Sequence, residues 1–139
     1  MCSIEFDRDT IHGPKRASEK ESFAGTTVRR GSSSFQAPQC VKDALTFLYV
    51  TRREMGQGRV PPGQSIVLGG LYPIHLDYAG EQTIKMGDQQ VISDKLNCSV
   101  TTAHSEIRFE VYFARDAART PLMIKVPFAI GTFTMELVR

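Results

Sequence analysis

The feature that most constrains the fold is a period-two pattern that begins at Gln64 and continues to the end of the chain. Apolar and polar residues alternate in segments at 64–68, 72–78, 82–86, 89–101, 105–115, 122–127 and 132–138. Such alternation is typical of strands with one buried and one solvated face, and the short turn-forming breaks favour antiparallel neighbours. The pattern predicts a long antiparallel meander.

One helix is predicted, at 38–53, where Pro38 suits the first turn because its missing N–H would have no partner there. The apolar residues of this segment recur on one helical face, and they are Val41, Ala44, Leu45, Leu48 and Tyr49. A one-sided sheet must be covered, and this helix is the element available to cover it. The predicted fold class is mainly β, a β-rich α+β fold. Its curved antiparallel meander forms a partial barrel, with one amphipathic helix packed in or against the concave face.

The segment before the helix is more polar. Ile4 and Phe6 alternate with charged residues and predict a short strand at 3–8, and a modest strand is predicted at 23–30. The segments 9–22 and 31–37 are predicted to be loops or linkers, since they are polar and contain glycine or proline. With 139 residues the chain is long enough for one core, so residues 1–139 predict a single domain.

Charge and cysteine spacing exclude several classes of protein. Lys and Arg number 17 against 15 Asp and Glu, for a net charge of +2, without the concentrated basic face that nucleic-acid binding needs. The longest charge-free stretch, 60–76, is interrupted by prolines and glycines, so no integral membrane segment is predicted. Cys2, Cys40 and Cys98 lack a zinc-site spacing, and whether any two of them form one long-range disulfide stays open.

The sequence predicts no catalytic residue, metal site or cofactor. His12, His75 and His104 lie in separate segments and not at a ligand spacing. We therefore expect a protein that is not an enzyme. Catalysis would become a stronger hypothesis only if His75 or His104 converged with a carboxylate inside a pocket.

Two sets of residues are candidates for ligand binding. The predicted lining of an apolar hollow is Leu45, Leu48, Tyr49, Phe109 and Phe113. The alternative is that these side chains simply form the core. Arg115 and Arg119 are predicted at the rim, where they could hold an anionic headgroup. The alternative there is a well-capped hairpin connection in which Asp116 accepts hydrogen bonds from the turn.

Three motifs, in this order, resemble a known family. Residues 43–52 read D-A-L-T-F-L-Y-V-T-R and look like the helix signature D-x-L-S-A-L-Y-Y-L-R. Residues 111–122 are similar to the strand-turn-strand motif W-x-S-D-D-x-R-R-x-P-V, with Arg115 in place of the first aspartate. Residues 125–137 resemble the closing motif K-x-P-I-G-S-x-T-x-E-L. The chain thereby resembles the bacterial domain-of-unknown-function family 3108.

The resemblance implies a fold related to the lipoprotein-carrier proteins, in which a curved sheet cups an apolar ligand around a helix. It implies export to the periplasm or outer envelope, and it implies no known enzyme activity. Members of the family usually begin with a signal peptide and additional strands. The resemblance therefore implies that this chain is the C-terminal part of such a protein and lacks N-terminal strands. A cytoplasmic location is expected instead if Met1 is a genuine start.

Two hypotheses about function follow. The first is a non-enzymatic envelope domain that binds a lipid or another apolar ligand in the hollow of the sheet. The second is a structural or interaction module with a filled core, whose open sheet edge pairs with a second copy or with a strand of a partner.

Overall fold

The computed structural model of the protein describes residues 1–138, which form a mainly β fold with a single helix. The strands are β1 Glu5–His12, β2 Lys15–Ala24, β3 Thr27–Arg30, β4 Ser33–Gln36, β5 Lys42–Asp43, β6 Gln64–Val67, β7 Leu71–Met86, β8 Gln89–Thr101, β9 Glu106–Ala114, β10 Pro121–Phe128 and β11 Gly131–Glu136. The helix, α1, is Ala44–Gly56. The predicted fold class is confirmed. The chain forms two compact units, and the prediction of a single domain stays a prediction.

The first unit comprises Met1–Phe47 and Ser65–Leu71. Strands β1 to β4 form an antiparallel sheet in chain order, and β5 pairs in parallel with β6. The buried residues of its core are Val28, Ala37, Val41 and Val67. Cys2 and Cys40 form a disulfide in this unit, which answers the question that the spacing of the cysteines left open.

The prediction of loops at 9–22 and 31–37 is wrong, because these residues belong largely to β1, β2 and β4. Charged side chains pair across the first hairpin, namely Arg8 with Glu19, Arg16 with Asp9 and Lys20 with Glu5. Most of this hairpin is exposed on both faces, so it carries no apolar alternation by which it could be recognised.

Helix α1 begins later than predicted, because Asp43 and not Pro38 determines its start. The Asp43 Oδ1 atom accepts hydrogen bonds from the backbone N–H groups of Leu45 at 2.9 Å and Thr46 at 3.0 Å. These N–H groups have no carbonyl partner inside the helix, so the aspartate acts as its N-cap. Pro38 lies outside the helix, in the segment that leads to it.

The predicted apolar face of the helix is also wrong. The side chains at Leu45 and Tyr49 are 65% and 50% exposed. The buried stripe consists of Phe47, Thr51 and Met55, which repeat every four residues. A threonine occupies the middle of this stripe, so hydropathy alone favoured the wrong side of the helix.

The second unit comprises Leu48–Gln64 and the residues from Tyr72 onward. Strands β7 to β11 are antiparallel neighbours in chain order, so the predicted meander is confirmed. The segments predicted at 72–78 and 82–86 are one strand, β7. Its pairing with β8 shifts between Tyr78 and Gly80, where Gly80 adopts a φ of 94° that glycine accommodates.

Strand β9 was predicted to have one buried and one solvated face. The structure differs: Glu106, Ile107 and Arg108 at its start are all exposed, whereas Val111, Tyr112, Phe113 and Ala114 at its end are all buried. The face of Tyr112 is covered here by an apolar cluster with Ile84, Ala114, Leu122 and Met123. Strand β9 is thus buried on both faces at its end and exposed on both faces at its start.

Candidate functional site

The open end of the second unit contains a cavity of about 590 Å³, which we name the polar cavity. Its lining is drawn from strands β7 to β11: His75, Asp77, Asn97, Ser99, Glu106, Arg108, Phe109, Glu110, Lys125, Pro127 and Thr132. The volume is in the range of small-molecule sites. The lining, however, is dominated by charged and hydrogen-bonding side chains, unlike the apolar hollow that the sequence predicted.

The strand register explains why these residues meet. Asp77 lies opposite Asn97, which lies opposite Glu110, which in turn lies opposite Lys125. A second row contains His75, Ser99 and Arg108. Directly opposite residues share a face of the sheet and lie about 5 Å apart. Two rows of polar side chains therefore cross the same face.

Glu110 is held by a local charge network at the floor of the cavity. Its carboxylate pairs with Lys95 Nζ at 2.7 Å and accepts a hydrogen bond from the Tyr112 hydroxyl at 2.7 Å. Burial alone would raise the pKa of Glu110, but the bonds from Lys95 and Tyr112 outweigh it and hold that pKa below its usual value. Burial and the hydrogen bond to Glu110 raise the pKa of Tyr112 to about 12. The Nζ atoms of Lys95 and Lys125 lie 5.8 and 5.4 Å from the Tyr112 ring centroid.

His75 meets the geometric condition that would favour catalysis, since it converges with a carboxylate in a cavity. Its Nε2 atom is 3.1 Å from Asp77 Oδ1. Both side chains are largely exposed, at 61% and 69%. No described hydroxyl hydrogen-bonds to the ring, so the structure provides a solvated His–Asp pair without an activated nucleophile. His12 and His104 do not line the cavity.

The predicted rim arginines, Arg115 and Arg119, lie together and bind carboxylates of the chain itself. Arg119 pairs with Asp94, whose side chain is only 6% exposed, and Arg115 pairs with Glu81. Asp94 also accepts a hydrogen bond from the Tyr78 hydroxyl at 2.8 Å. Tyr78, Asp94 and the two arginines border a second cavity, of about 320 Å³, beside the C-terminal end of the helix.

The turn that carries Arg115 and Arg119 is also capped by Asp116, which is the alternative that the sequence predicted for this segment. Asp116 accepts hydrogen bonds from the Thr120 N–H at 3.0 Å and from the Thr120 hydroxyl at 2.8 Å. Arg119 has a φ of 49°, in the left-handed region that residues other than glycine rarely adopt. The ion pair with Asp94 is one of the contacts that hold this conformation, and Arg52 donates to the Ala118 carbonyl at 3.0 and 3.1 Å.

A third surface, which we name the apolar face, lies on the side of β9–β11 opposite to the polar cavity. Phe133 pairs with Val126, and Met135 pairs with Ile124, which pairs with Val111 of β9. Phe133 and Met135 are 53% and 48% exposed, and Ile107 on the same face of β9 is 44% exposed. The apolar face consists of Ile107, Phe109, Ile124, Val126, Phe133 and Met135.

The structure does not bring the five predicted lining residues into one cavity. Phe113 is 1% exposed and belongs to the core. Leu45 and Tyr49 are exposed, and Leu48 is half-buried. Phe109 borders the polar cavity, but strand alternation assigns its ring to the apolar face.

Sequence reasoning missed most of the cavity-lining residues, although a signal was present. In three successive strands the polar pairs His75 and Asp77, Asn97 and Ser99, and Arg108 and Glu110 each occupy alternate positions. Taken alone, each such pair indicates only the solvated face of a strand. The pairs indicate a common site only when the strand register, which places them opposite one another, is known. Asp94 was missed because it is separated by 25 positions from Arg119.

Within residues 1–138, no group of three or more His, Cys, Asp or Glu residues is arranged to hold a metal ion. Nor does the described part of the chain contain a helix with the length and apolar character needed to cross a membrane.

Comparison with protein families matches the chain to the family described as "Protein of unknown function (DUF3108)", over residues 1–138. The match covers the N-terminal strands as well as the three motifs. Comparison with curated proteins and with solved structures gives no match.

Proposed function

The chain belongs to the DUF3108 family of proteins of unknown function, and from that premise we propose that it is a non-enzymatic domain of the bacterial envelope that binds an acyl-bearing ligand. The observation that carries the proposal is the apolar face. Phe133 and Met135 of β11 and Ile107 of β9 expose 44–53% of their surface on the same side of the sheet, with β10 between the two strands. Contiguous exposed apolar patches on soluble domains commonly mark interaction sites.

The area is adequate for weak, reversible binding. Half-exposed side chains of this size, three together, present roughly 300 Å² of apolar surface. Removing that area from water stabilises a complex by about 7 kcal/mol before the cost of association. An acyl chain is a suitable occupant because it is apolar along its length and each buried methylene contributes about 0.8 kcal/mol.

The disulfide supports a location in the envelope. Cys2 and Cys40 are bonded, whereas Cys98 is free and buried. Disulfides persist in oxidising compartments such as the periplasm and are rare in the cytosol. The proposed location rests on this bond together with the family resemblance.

The proposal does not depend on Arg115 and Arg119 as contacts for a headgroup. Both guanidinium groups are already paired with Glu81 and Asp94. A headgroup would have to displace these carboxylates, and displacing the buried Asp94 would leave its charge uncompensated. We therefore place the ligand's acyl portion on the apolar face and assign no role to the arginines in holding it.

The second hypothesis, pairing through an open sheet edge, is favoured by one observation. Strand β11 lies at the end of the strand order and pairs only with β10 among the described strands. Its outer backbone groups are available to another strand, as in strand addition. Both hypotheses use the surface around β11, so the experiment must separate a lipid from a protein partner.

The test is organic extraction of the purified protein followed by mass spectrometry of the extract. We expect acyl lipids from the wild type and their loss from the Phe133→Gln/Met135→Gln variant. The matched control is Thr132→Gln/Thr134→Gln, which alters the other face of the same strand and should retain lipid. Absence of lipid from wild-type protein, together with a dimer in size-exclusion mass measurement, would favour edge pairing and overturn lipid binding.

A further inference from the structure

The polar cavity contains two opposite charges that no described ion pair balances at neutral pH. At one side, the described partner of Asp77 is the His75 ring, a cation only when protonated. At the other, Lys125 Nζ lies over the Tyr112 ring and forms no described salt bridge. The remaining charged groups cancel, since Glu110 pairs with Lys95, and Glu106 with Arg108.

The register separates the two charges by a defined distance. Asp77 is on β7 and Lys125 is on β10, in the row that runs through Asn97 and Glu110. Neighbouring strands are about 4.8 Å apart, so three steps place the two residues about 14 Å apart along the sheet. The cavity is therefore negative on its β7 side and positive on its β10 side.

Between the two charges lie groups that can both donate and accept hydrogen bonds. The Asn97 amide and the Ser99 hydroxyl line the cavity. An amide offers two donors and an acceptor, and a hydroxyl offers one donor and two lone pairs. These are the groups that a peptide backbone requires.

We propose that the polar cavity binds a short peptide by its free ends. The α-ammonium group pairs with Asp77, the α-carboxylate pairs with Lys125, and Asn97 and Ser99 bond to the peptide groups between them. An extended chain advances about 3.4 Å per residue, so about four residues span the 14 Å. This is a second site, on the face of β9–β11 opposite to the proposed acyl surface.

The chemistry of the lining disfavours other small ligands. An inorganic phosphate would pair with Lys125 but would leave Asp77, at the other side of the cavity, without a cationic partner. An acyl chain would desolvate charged and amide groups without compensation. A zwitterion of the right length satisfies both ends at once.

The test uses the full 139-residue chain and tetra-alanine as probe, with binding followed by amide chemical shifts in NMR titrations. Three further probes are N-acetyl-tetra-alanine, tetra-alanine amide and di-alanine. We expect tetra-alanine to shift resonances of residues in the two polar rows. Blocking either end, or shortening the peptide, should weaken binding by about threefold to fivefold, the size of an exposed charge interaction.

Two variants test which end of the peptide Asp77 and Lys125 each bind. Asp77→Asn should weaken tetra-alanine and its amide to a similar degree but leave the acetylated peptide unaffected. Lys125→Gln should show the reverse pattern, with the amide unaffected. The matched controls are Asp88→Asn and Lys85→Gln, which change the same residue types at exposed positions outside the cavity and should bind like the wild type.

The blocked probes test end recognition independently of whether a variant folds. Equal binding of blocked and free peptides would overturn the recognition of free ends. Absence of any shift at 10 mM tetra-alanine would overturn the site itself, as would shifts that persist unchanged in both charge variants. Lipid binding at the apolar face is unaffected by these outcomes.

Discussion

Removal of the Cys2–Cys40 disulfide should destabilise the first compact unit far more than the second. The bond joins residues separated by 38 positions. It also holds Ser3 in place: the Ser3 N–H donates to the Val41 carbonyl at 3.3 Å, and the Ser3 hydroxyl accepts from the Asp43 N–H at 2.8 Å. The disulfide therefore restrains the segment that contacts the helix N-cap.

The magnitude follows from the entropy of the unfolded chain. A cross-link that closes a loop of 38 residues removes about 13 cal/mol/K, which is about 4 kcal/mol at 25 °C. The Cys2→Ser/Cys40→Ser variant should lose about this much, plus a smaller amount from loosened Ser3 contacts. The loss should be confined to the unit that contains residues 1–47.

The assay is hydrogen exchange combined with urea unfolding. In the variant, amides of β1–β4 should exchange faster, whereas those of β8 and β9 should keep their protection. Wild-type protein treated with a reductant should behave like the variant. A Cys98→Ala variant serves as the control that keeps the bond. A loss below 1 kcal/mol, or an equal loss of protection in both units, would refute the reasoning.

Three further predictions concern single side chains. Burial would raise the pKa of Asp43, but bonds from Ser3, Thr46 and Leu45 lower it. Ionised Asp43 thus contributes stability that is fully present above the ordinary pKa of about 3.9 and is lost as pH falls through the folded pKa. The difference in free energy of unfolding between the wild type and Asp43→Asn, measured by urea titration, should therefore shrink below pH 4. Arg119→Ala should cost about 3 kcal/mol in thermal unfolding because it leaves Asp94 buried and without Arg119, and a loss no larger than that of the exposed control Arg16→Ala would contradict this. Burial, with Asp77 nearby, raises the pKa of Cys98 to about 12, so an aromatic disulfide reagent at pH 8 should modify it only in denaturant; rapid reaction in the native state would show that it is accessible.

The extended architecture could be predicted from sequence because the apolar alternation is strong from Gln64 onward. Strand β8 has the predicted bounds, 89–101, since its buried residues Leu96, Cys98 and Val100 alternate with solvated ones. The hairpin of β1 and β2 could not be predicted in the same way. Its strands are stabilised by cross-strand charge pairs, and such pairs are visible only once the register is known.

The helix and the site show where local sequence is insufficient. Asp43 is a residue type that commonly caps the start of a helix. Pro38, five positions earlier, also favours a helix start, so the sequence offered two starts for the same helix. The buried stripe passes through Thr51, which hydropathy does not mark as a core residue. The polar cavity and the ion pairs of Asp94 depend on which residues of separate strands lie opposite one another. A single sequence does not contain that register.

The most direct test of ligand binding at the apolar face uses tryptophan fluorescence, because the natural chain has no tryptophan. A Phe133→Trp variant places one reporter on the apolar face, and a Thr134→Trp variant places one on the opposite face of the same strand. On titration with palmitate, we predict a saturable shift of the emission to shorter wavelength for Phe133→Trp and no shift for Thr134→Trp. An unchanged spectrum for Phe133→Trp, or equal shifts in the two variants, would contradict acyl binding at this surface.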